Sequence, residues 1–209
     1  MTMELGRDNT ALVVIDMQNS YCREGGRMER LGFDWPRLQA AEPGCIKLVA
    51  AARKAGVPVM YTQYVYQPDF KDGGFMVEEL MPSLRDAGLC ALGTWDADIL
   101  DTLKPEPNDA VIQKNRPSAF YSTQFESMLS SMKIKNLVFC GVTTNMCVET
   151  TVRDACQRDF RCFVVKDAVG EVVDDRAEVA LMTMGFFFAR IMSTDEVFDS
   201  WKVELDNVA

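Results

Sequence analysis

The chain of 209 residues contains no histidine. Histidine is the usual base that activates a serine or cysteine nucleophile, and it is a common ligand in catalytic zinc sites. Its absence excludes Ser-His and Cys-His nucleophile pairs and every metal site that needs an imidazole. A hydrolytic mechanism in this chain must take its base from Asp, Glu, Lys or Tyr, and we expect no metal and no cofactor.

The sequence also lacks a basic patch, and its net charge is −9 with an isoelectric point near 4.6. Nucleic acids and anionic membranes bind basic surfaces, so we expect neither partner. No apolar run reaches the roughly 18 residues of a membrane span, and the N-terminus does not resemble a signal peptide. These features predict a cytoplasmic protein that acts on a small molecule.

Seven cysteines are present, but no two of them are spaced as a CxxC pair. Neither a zinc ribbon nor a disulfide framework is indicated, so all seven are expected to remain thiols in a reducing compartment. A cysteine in an apolar segment is more often a small buried hydrophobic residue than a reagent. Most of the seven are therefore predicted to be packing residues.

Six short runs of β-branched and apolar residues alternate with longer segments of helical periodicity. The predicted strands are 11–16, 57–64, 109–114, 136–141, 162–167 and 188–193; the predicted helices are 36–55, 96–103, 123–133, 145–158, 174–185 and one from Asp195 onward. This alternation predicts a single α/β domain over 1–209, a three-layer α/β/α sandwich with a six-stranded parallel sheet. Segment 65–93, which contains Pro, Gly and Asp, is predicted to be an insertion that lines a pocket.

Three chemically capable side chains lie at predicted strand ends, where parallel α/β sheets bind ligands. Asp16 ends the first strand, Lys114 ends the third, and Cys147 opens the helix after the fourth. Each residue alone has a structural explanation: Asp16 as a helix cap, Lys114 as a solvated side chain and Cys147 as a buried core residue. Together they are sufficient for nucleophilic catalysis, because a helix start and an ammonium lower the pKa of a thiol and a carboxylate can carry its proton. The backbone N–H groups of Thr143 and Cys147 are predicted to face the developing oxyanion.

Three separated blocks resemble the signatures of a known family. They are ALVVIDMQNSYC, VIQKNRPSAFYSTQFESML and VFCGVTTNMCVETTVRDA. In this order they are similar to the isochorismatase-like cysteine hydrolases, the superfamily of nicotinamidase, N-carbamoylsarcosine amidohydrolase, biuret hydrolase and ureidoacrylate amidohydrolase. The resemblance implies an Asp16–Lys114–Cys147 triad and a cis peptide bond between Val142 and Thr143. It also implies a homo-oligomer, a dimer or tetramer, with the pocket near a subunit interface.

Two features separate the branches of this family. Members that act on isochorismate lack the cysteine, and nicotinamidases resemble one another in a His-containing metal site that this chain cannot build. The stretches GGRMERLGFDWP, GTWDADIL and VETTVRDA look most like the ureidoacrylate and biuret branch. The resemblance therefore implies a small linear carbamoyl or ureido substrate, such as biuret, guanylurea, ureidoacrylate or an N-carbamoyl compound. Its C–N bond would be cleaved through a covalent thioester-like intermediate, with release of ammonia or an amine.

Two alternatives stay open: an amidase for a cyclic or aromatic amide, and a non-catalytic protein that binds a small molecule on the same fold. The predicted substrate-binding residues are Tyr21, Gln63, Phe120 and Tyr121. For the aromatic residues among them, core packing is the alternative explanation. Gln18 and Asn19 follow Asp16 and either orient it or make hydrogen bonds within the loop.

Overall fold

The computed structural model, which describes residues 3–204, contains a six-stranded sheet in which every pair of neighbouring strands is parallel. The strands are β1 (Thr10–Ile15), β2 (Val59–Tyr64), β3 (Ala110–Lys114), β4 (Asn136–Val142), β5 (Arg161–Gly170) and β6 (Arg190–Met192). Their order in the sheet is β3-β2-β1-β4-β5-β6. β1 and β4 are buried at every position, as their continuous apolar runs predict. The predicted parallel α/β fold is confirmed.

Helices cover both faces of this sheet. They are α1 (Asn19–Cys22), α2 (Arg27–Arg30), α3 (Trp35–Gln39), α4 (Glu42–Ala55), α5 (Ser83–Ala87), α6 (Phe125–Ser131), α7 (Glu149–Cys156), α8 (Asp174–Thr183) and α9 (Thr194–Trp201). The right-handed crossovers from β1 to β2 and from β4 to β5 run in opposite directions along the sheet, so α4 and α7 lie on opposite faces. α9 packs against α4. Within residues 3–204, no helix is long and apolar enough to span a membrane.

The strand order reverses between β1 and β4, which lie next to each other in the sheet. In open α/β sheets a crevice forms at such a point, beyond the carboxyl ends of the strands, because the flanking helices leave on opposite faces. Asp16 directly follows β1, and the turn that carries Cys147 follows β4. The topology therefore directs both residues to one crevice.

The predicted helix over 96–103 is wrong. The segment forms two short 3₁₀ turns, Trp95–Ala97 and Asp101–Leu103. The carbonyl of Trp95 accepts a hydrogen bond from the Asn19 side chain at 2.9 Å, and that of Ala97 accepts one from the Gln18 side chain at 2.8 Å. These two carbonyls therefore accept hydrogen bonds from side chains outside the segment, whereas a regular helix would pair them with N–H groups of its own next turn.

Segment 65–93 follows β2 and includes α5, and residues 94–109 complete the connection to β3. Its two ends are joined where the Tyr66 N–H donates to the Cys90 carbonyl at 3.0 Å. In its middle, the Asp72 carboxylate accepts from the side chain of Asn115 at 3.0 Å. Because Asn115 directly follows β3, the segment is anchored beside the carboxyl end of that strand. Its role as a pocket wall stays a prediction.

β4 passes very close to β1 at Gly141. A Cβ at this position would lie 2.1 Å from the carbonyl oxygen of Ile15, and the φ angle is +111°. Only glycine fits, because any side chain would both collide with the neighbouring backbone and strain its own. This close approach brings the end of β4 next to Asp16.

Replacing Gly141 by Ala is therefore expected to lower the free energy of unfolding by at least about 2 kcal/mol. Urea denaturation of the purified variant measures this loss. Gly6→Ala is the matched control, because a Cβ there would meet nothing within 4 Å. Equal stabilities of the two variants would contradict the close approach.

Candidate active site

Asp16 and Lys114 form a buried ion pair at the carboxyl edge of the sheet. The Lys114 Nζ donates to Asp16 Oδ2 at 2.7 Å, and the two side chains are 0% and 1% exposed. The same Nζ donates to the Arg116 carbonyl at 3.2 Å and lies 4.4 Å from the centre of the Tyr64 ring. Burial lowers the pKa of Lys114, but Asp16 and Cys147 raise it by more, so the pKa is above its usual value and the ammonium stays charged.

The other oxygen of the Asp16 carboxylate is held by Thr62 in β2. The Thr62 hydroxyl donates to Asp16 Oδ1 at 2.6 Å and accepts from the Asp16 backbone N–H at 3.1 Å. No sequence pattern indicated Thr62, although its place near the end of the strand beside β1 is consistent with such a contact. Both oxygens of the carboxylate are thus oriented by fixed donors.

Cys147 lies in a π-helical turn, Thr144–Val148, that leads into α7. Its side chain neighbours Asp16 and Lys114, and the residue is 7% exposed. Burial raises the pKa of the thiol, the Lys114 ammonium opposes this rise, and the Asp16 carboxylate adds to it. The pKa is therefore above its usual value.

The lowered pKa of Cys147 that the sequence predicts is wrong. The helix start and the ammonium are present, but the sequence pattern did not reveal the loss of solvent around the sulfur, which disfavours the thiolate. The raised pKa favours the neutral thiol at rest. Such a thiol needs a base when it reacts, and the neighbouring Asp16 carboxylate is placed to be that base.

The backbone before Cys147 has an unusual geometry. The peptide bond between Val142 and Thr143 is cis, at the position that the family resemblance implies. The carbonyl of Thr143 accepts hydrogen bonds at 3.2 Å from the N–H groups of Met146 and Val148, which lie on either side of Cys147. Neither of these two hydrogen bonds involves the N–H of Cys147.

Tyr21 in α1 is the predicted substrate-binding residue that the structure brings to this site. Burial raises the pKa of its phenol, and the nearby Cys90, Cys147 and Asp16 raise it further. The phenol is therefore neutral beside the carboxylate and the thiol, where it can donate a hydrogen bond.

Gln63 is not brought to the site, contrary to the prediction. Side chains alternate between the two faces of a strand, so Gln63 lies on the opposite face of β2 from Thr62 and Tyr64. Its amide donates to the Ala97 carbonyl at 2.8 Å and accepts from Gln113 at 3.1 Å. Gln63 therefore ties β2 to the Ala97 carbonyl and to Gln113 of β3.

Phe120 and Tyr121 also differ from the prediction. The ring of Phe120 is buried and packs against Phe125 and Phe160, with ring centres 4.9 and 6.0 Å apart. It is a core residue, which was the alternative explanation. Tyr121 is 59% exposed, so its side chain faces solvent rather than the buried thiol.

Gln18 supports the site through the loop. Its side-chain amide donates to the Tyr64 carbonyl at 2.9 Å, and its oxygen accepts from the Tyr64 N–H at 2.7 Å. These bonds fix the end of β2 and hence the ring that packs against Lys114. The loop hydrogen bonds considered for Gln18 and Asn19 are therefore present.

Comparison with known proteins gives the class to which this fold and site belong. Residues 10–196 match the family described as "Isochorismatase domain". The chain belongs to the isochorismatase family, as the three sequence blocks predicted.

Particular relatives are more informative. The chain is 37% identical over 199 residues to "Ureidoacrylate amidohydrolase RutB" of Pseudomonas savastanoi pv. phaseolicola, and the alignment covers 90% of this chain and 81% of that protein. A cysteine hydrolase structure from Pseudomonas syringae pv. phaseolicola 1448A is similar, with 25% identity, 96% of each chain covered and a TM-score of 0.87. So is N-carbamoylsarcosine amidase from Thermoplasma acidophilum, with 26% identity, 92% of this chain and 98% of that chain covered, and a TM-score of 0.73.

Proposed function

We propose that this protein is a cysteine amidohydrolase that cleaves a C–N bond of a small linear carbamoyl or ureido compound, such as biuret, guanylurea, ureidoacrylate or an N-carbamoyl compound. The observation that carries the proposal is the buried Asp16–Lys114 pair beside the Cys147 thiol. The names of two relatives, ureidoacrylate amidohydrolase and N-carbamoylsarcosine amidase, support the substrate class. Cys147 is 7% exposed, so a substrate must bring its carbonyl carbon to a nearly buried sulfur.

The first half of the reaction forms a covalent intermediate. Asp16 accepts the proton of the Cys147 thiol as the sulfur attacks the carbonyl carbon of the substrate. The carbonyl oxygen becomes an oxyanion, which receives hydrogen bonds from the N–H groups of Thr143 and Cys147. Loss of one such donor costs about 3 kcal/mol of transition-state stabilisation in a comparable oxyanion hole. As the proton moves, negative charge passes from the Asp16 carboxylate to the sulfur and then to the oxyanion, and the Lys114 ammonium stabilises that charge while it is on the sulfur.

The second half releases both products. The tetrahedral intermediate collapses, the C–N bond breaks, and Asp16 passes its proton to the leaving nitrogen, which departs as ammonia or an amine. Water then gives a proton to Asp16 and attacks the carbonyl carbon of the thioester or thiocarbamate. The C–S bond breaks, the product leaves as an acid or a carbamate, and the sulfur recovers its proton.

A homo-oligomer is part of the proposal. Phe186 and Phe187 are 86% and 74% exposed in the π-helical turn Met184–Phe188 that follows α8, and adjacent exposed apolar side chains of this size often mark a protein interface. Met146, beside the nucleophile, is also exposed, and α8 packs against the turn that carries it. A second copy that covers this surface would lie near the site.

A panel of candidate substrates tests the function. We expect release of ammonia or an amine from at least one of biuret, guanylurea, ureidoacrylate and an N-carbamoyl amino acid, with kcat/KM at least about 100-fold above that for nicotinamide. Preferential hydrolysis of nicotinamide would favour the aromatic-amide alternative. Binding without turnover of any member would favour the non-catalytic alternative.

A further inference from the structure

Thr62 contacts Asp16 twice through one hydroxyl group. Its Oγ1 accepts the backbone N–H of Asp16 at 3.1 Å and donates to Asp16 Oδ1 at 2.6 Å. A threonine hydroxyl carries a single proton, and the backbone N–H occupies one of its lone pairs, so the proton points at the carboxylate. The direction of the hydrogen bond is thus set by the structure itself, and both residues are buried.

This double contact holds Asp16 in an unusual conformation. The φ angle of Asp16 is +48°, in the left-handed region that non-glycine residues seldom adopt. Thr62 fixes both the backbone and the side chain of the residue, while Lys114 holds the second carboxylate oxygen. Without the hydroxyl, the backbone N–H and Oδ1 would both lose their partner, and the carboxylate would be held on one side only.

The contact is also a charge-assisted hydrogen bond. Such a bond is shorter and stronger than one between two neutral groups, so it holds Oδ1 firmly in place. The titratable groups that face Asp16 from the surrounding elements are Tyr21 of α1, Tyr64 of β2, Cys90 of segment 65–93, Lys114 of β3 and Cys147 of the π-helical turn. Lys114 is the only cation among these groups, and the Thr62 hydroxyl is a neutral donor to the same carboxylate.

We propose that Thr62 is a positioning residue, which holds the Asp16 carboxylate in the orientation that accepts the proton of Cys147. The inference rests on the proposed function in one respect, the role of Asp16 as the base. It adds a residue that acts through Asp16 and does not itself touch the substrate.

The test compares Thr62→Val with Thr62→Ser in the full-length protein, with the panel substrate that turns over fastest. In the Val variant, kcat is expected to fall by at least about 10-fold with little change in KM, because the carboxylate is no longer held toward the thiol proton. The Ser variant keeps the hydroxyl and is expected to restore most of the wild-type kcat. Thr10→Val is the matched control, since Thr10 is a buried threonine in β1 whose hydroxyl donates to the Gly6 carbonyl at 2.7 Å; its kcat and KM should match those of the wild type.

A second readout separates this inference from the proposed function. Alkylation of Cys147 by iodoacetamide, followed by peptide mass spectrometry, needs a base but no substrate, and its rate at neutral pH should fall in Thr62→Val and recover in Thr62→Ser. If the wild-type protein hydrolyses no ureido compound, the proposed function fails, while slower alkylation of Thr62→Val that Ser restores still supports the role of Thr62. Thr62→Ala replaces the Val variant if that protein does not fold. Equal alkylation rates and kcat values of the wild type and the variant without the hydroxyl, or a loss that Ser does not reverse, would overturn the inference.

Discussion

Replacement of Cys147 by Ala is expected to abolish the release of ammonia or amine, with kcat lower by at least about 10⁴-fold. The sulfur is the only nucleophile in the proposed mechanism, so its removal leaves only positioning and oxyanion stabilisation of a water attack. The substitution removes one small buried atom, and the variant should stay folded. Steady-state kinetics and a thermal unfolding curve measure the two expectations.

Cys156→Ala is the matched control for this experiment. Cys156 lies at the end of α7, nine residues after Cys147 by subtraction of the residue numbers, and it is partly buried. This variant is expected to keep wild-type activity. Retention of most activity in Cys147→Ala, or equal inactivation of both variants, would contradict the assignment of the nucleophile.

Replacement of Lys114 by Met is expected to lower the free energy of unfolding by about 3–5 kcal/mol and to remove activity. The reason is that the Asp16 carboxylate, which is 1% exposed, loses the cation that compensates its charge. Urea denaturation at neutral pH measures the loss. A surface ion pair would give a much smaller change, because solvent screens exposed charges.

The double variant Asp16→Asn with Lys114→Met separates stability from catalysis. With both charges absent, no uncompensated charge is buried, so most of the lost stability should return. Activity should stay absent because the base is missing. A double variant as unstable as Lys114→Met alone would show that the ion pair is not what stabilises this part of the sheet.

Much of the fold could be predicted from the sequence because its elements are locally encoded. The continuous apolar runs predicted six buried strands; all six form, although the edge strands β3 and β6 are only partly buried. Parallel pairing brings the carboxyl ends to one edge, where Asp16 and Lys114 meet. The start of α9 was equally visible: Ser193 and Glu196 form a capping box, with the Ser193 N–H donating to the Glu196 carboxylate at 2.8 Å.

The rest depends on tertiary contacts. Gln63 was predicted as the site residue of β2, but its neighbour Thr62 is the residue that contacts Asp16. Successive side chains of a strand point to opposite faces of the sheet, so an error of one residue selects the wrong face. The raised pKa of Cys147 comes from burial by residues distant in the chain. An aromatic residue such as Phe120 suits both a pocket wall and a hydrophobic core. Only its contacts with Phe125 and Phe160 show that it packs in the core.

The most direct test of the central claim is mass spectrometry of the Cys147 peptide during a single turnover of a ureido substrate, quenched in acid over a time course. We predict an acyl or carbamoyl group on the Cys147 sulfur that appears as ammonia or amine is released and disappears as the second product forms. The peptide that contains Cys156 should stay unmodified throughout. Complete conversion of the substrate with an unmodified Cys147 peptide at every time point would contradict the covalent mechanism.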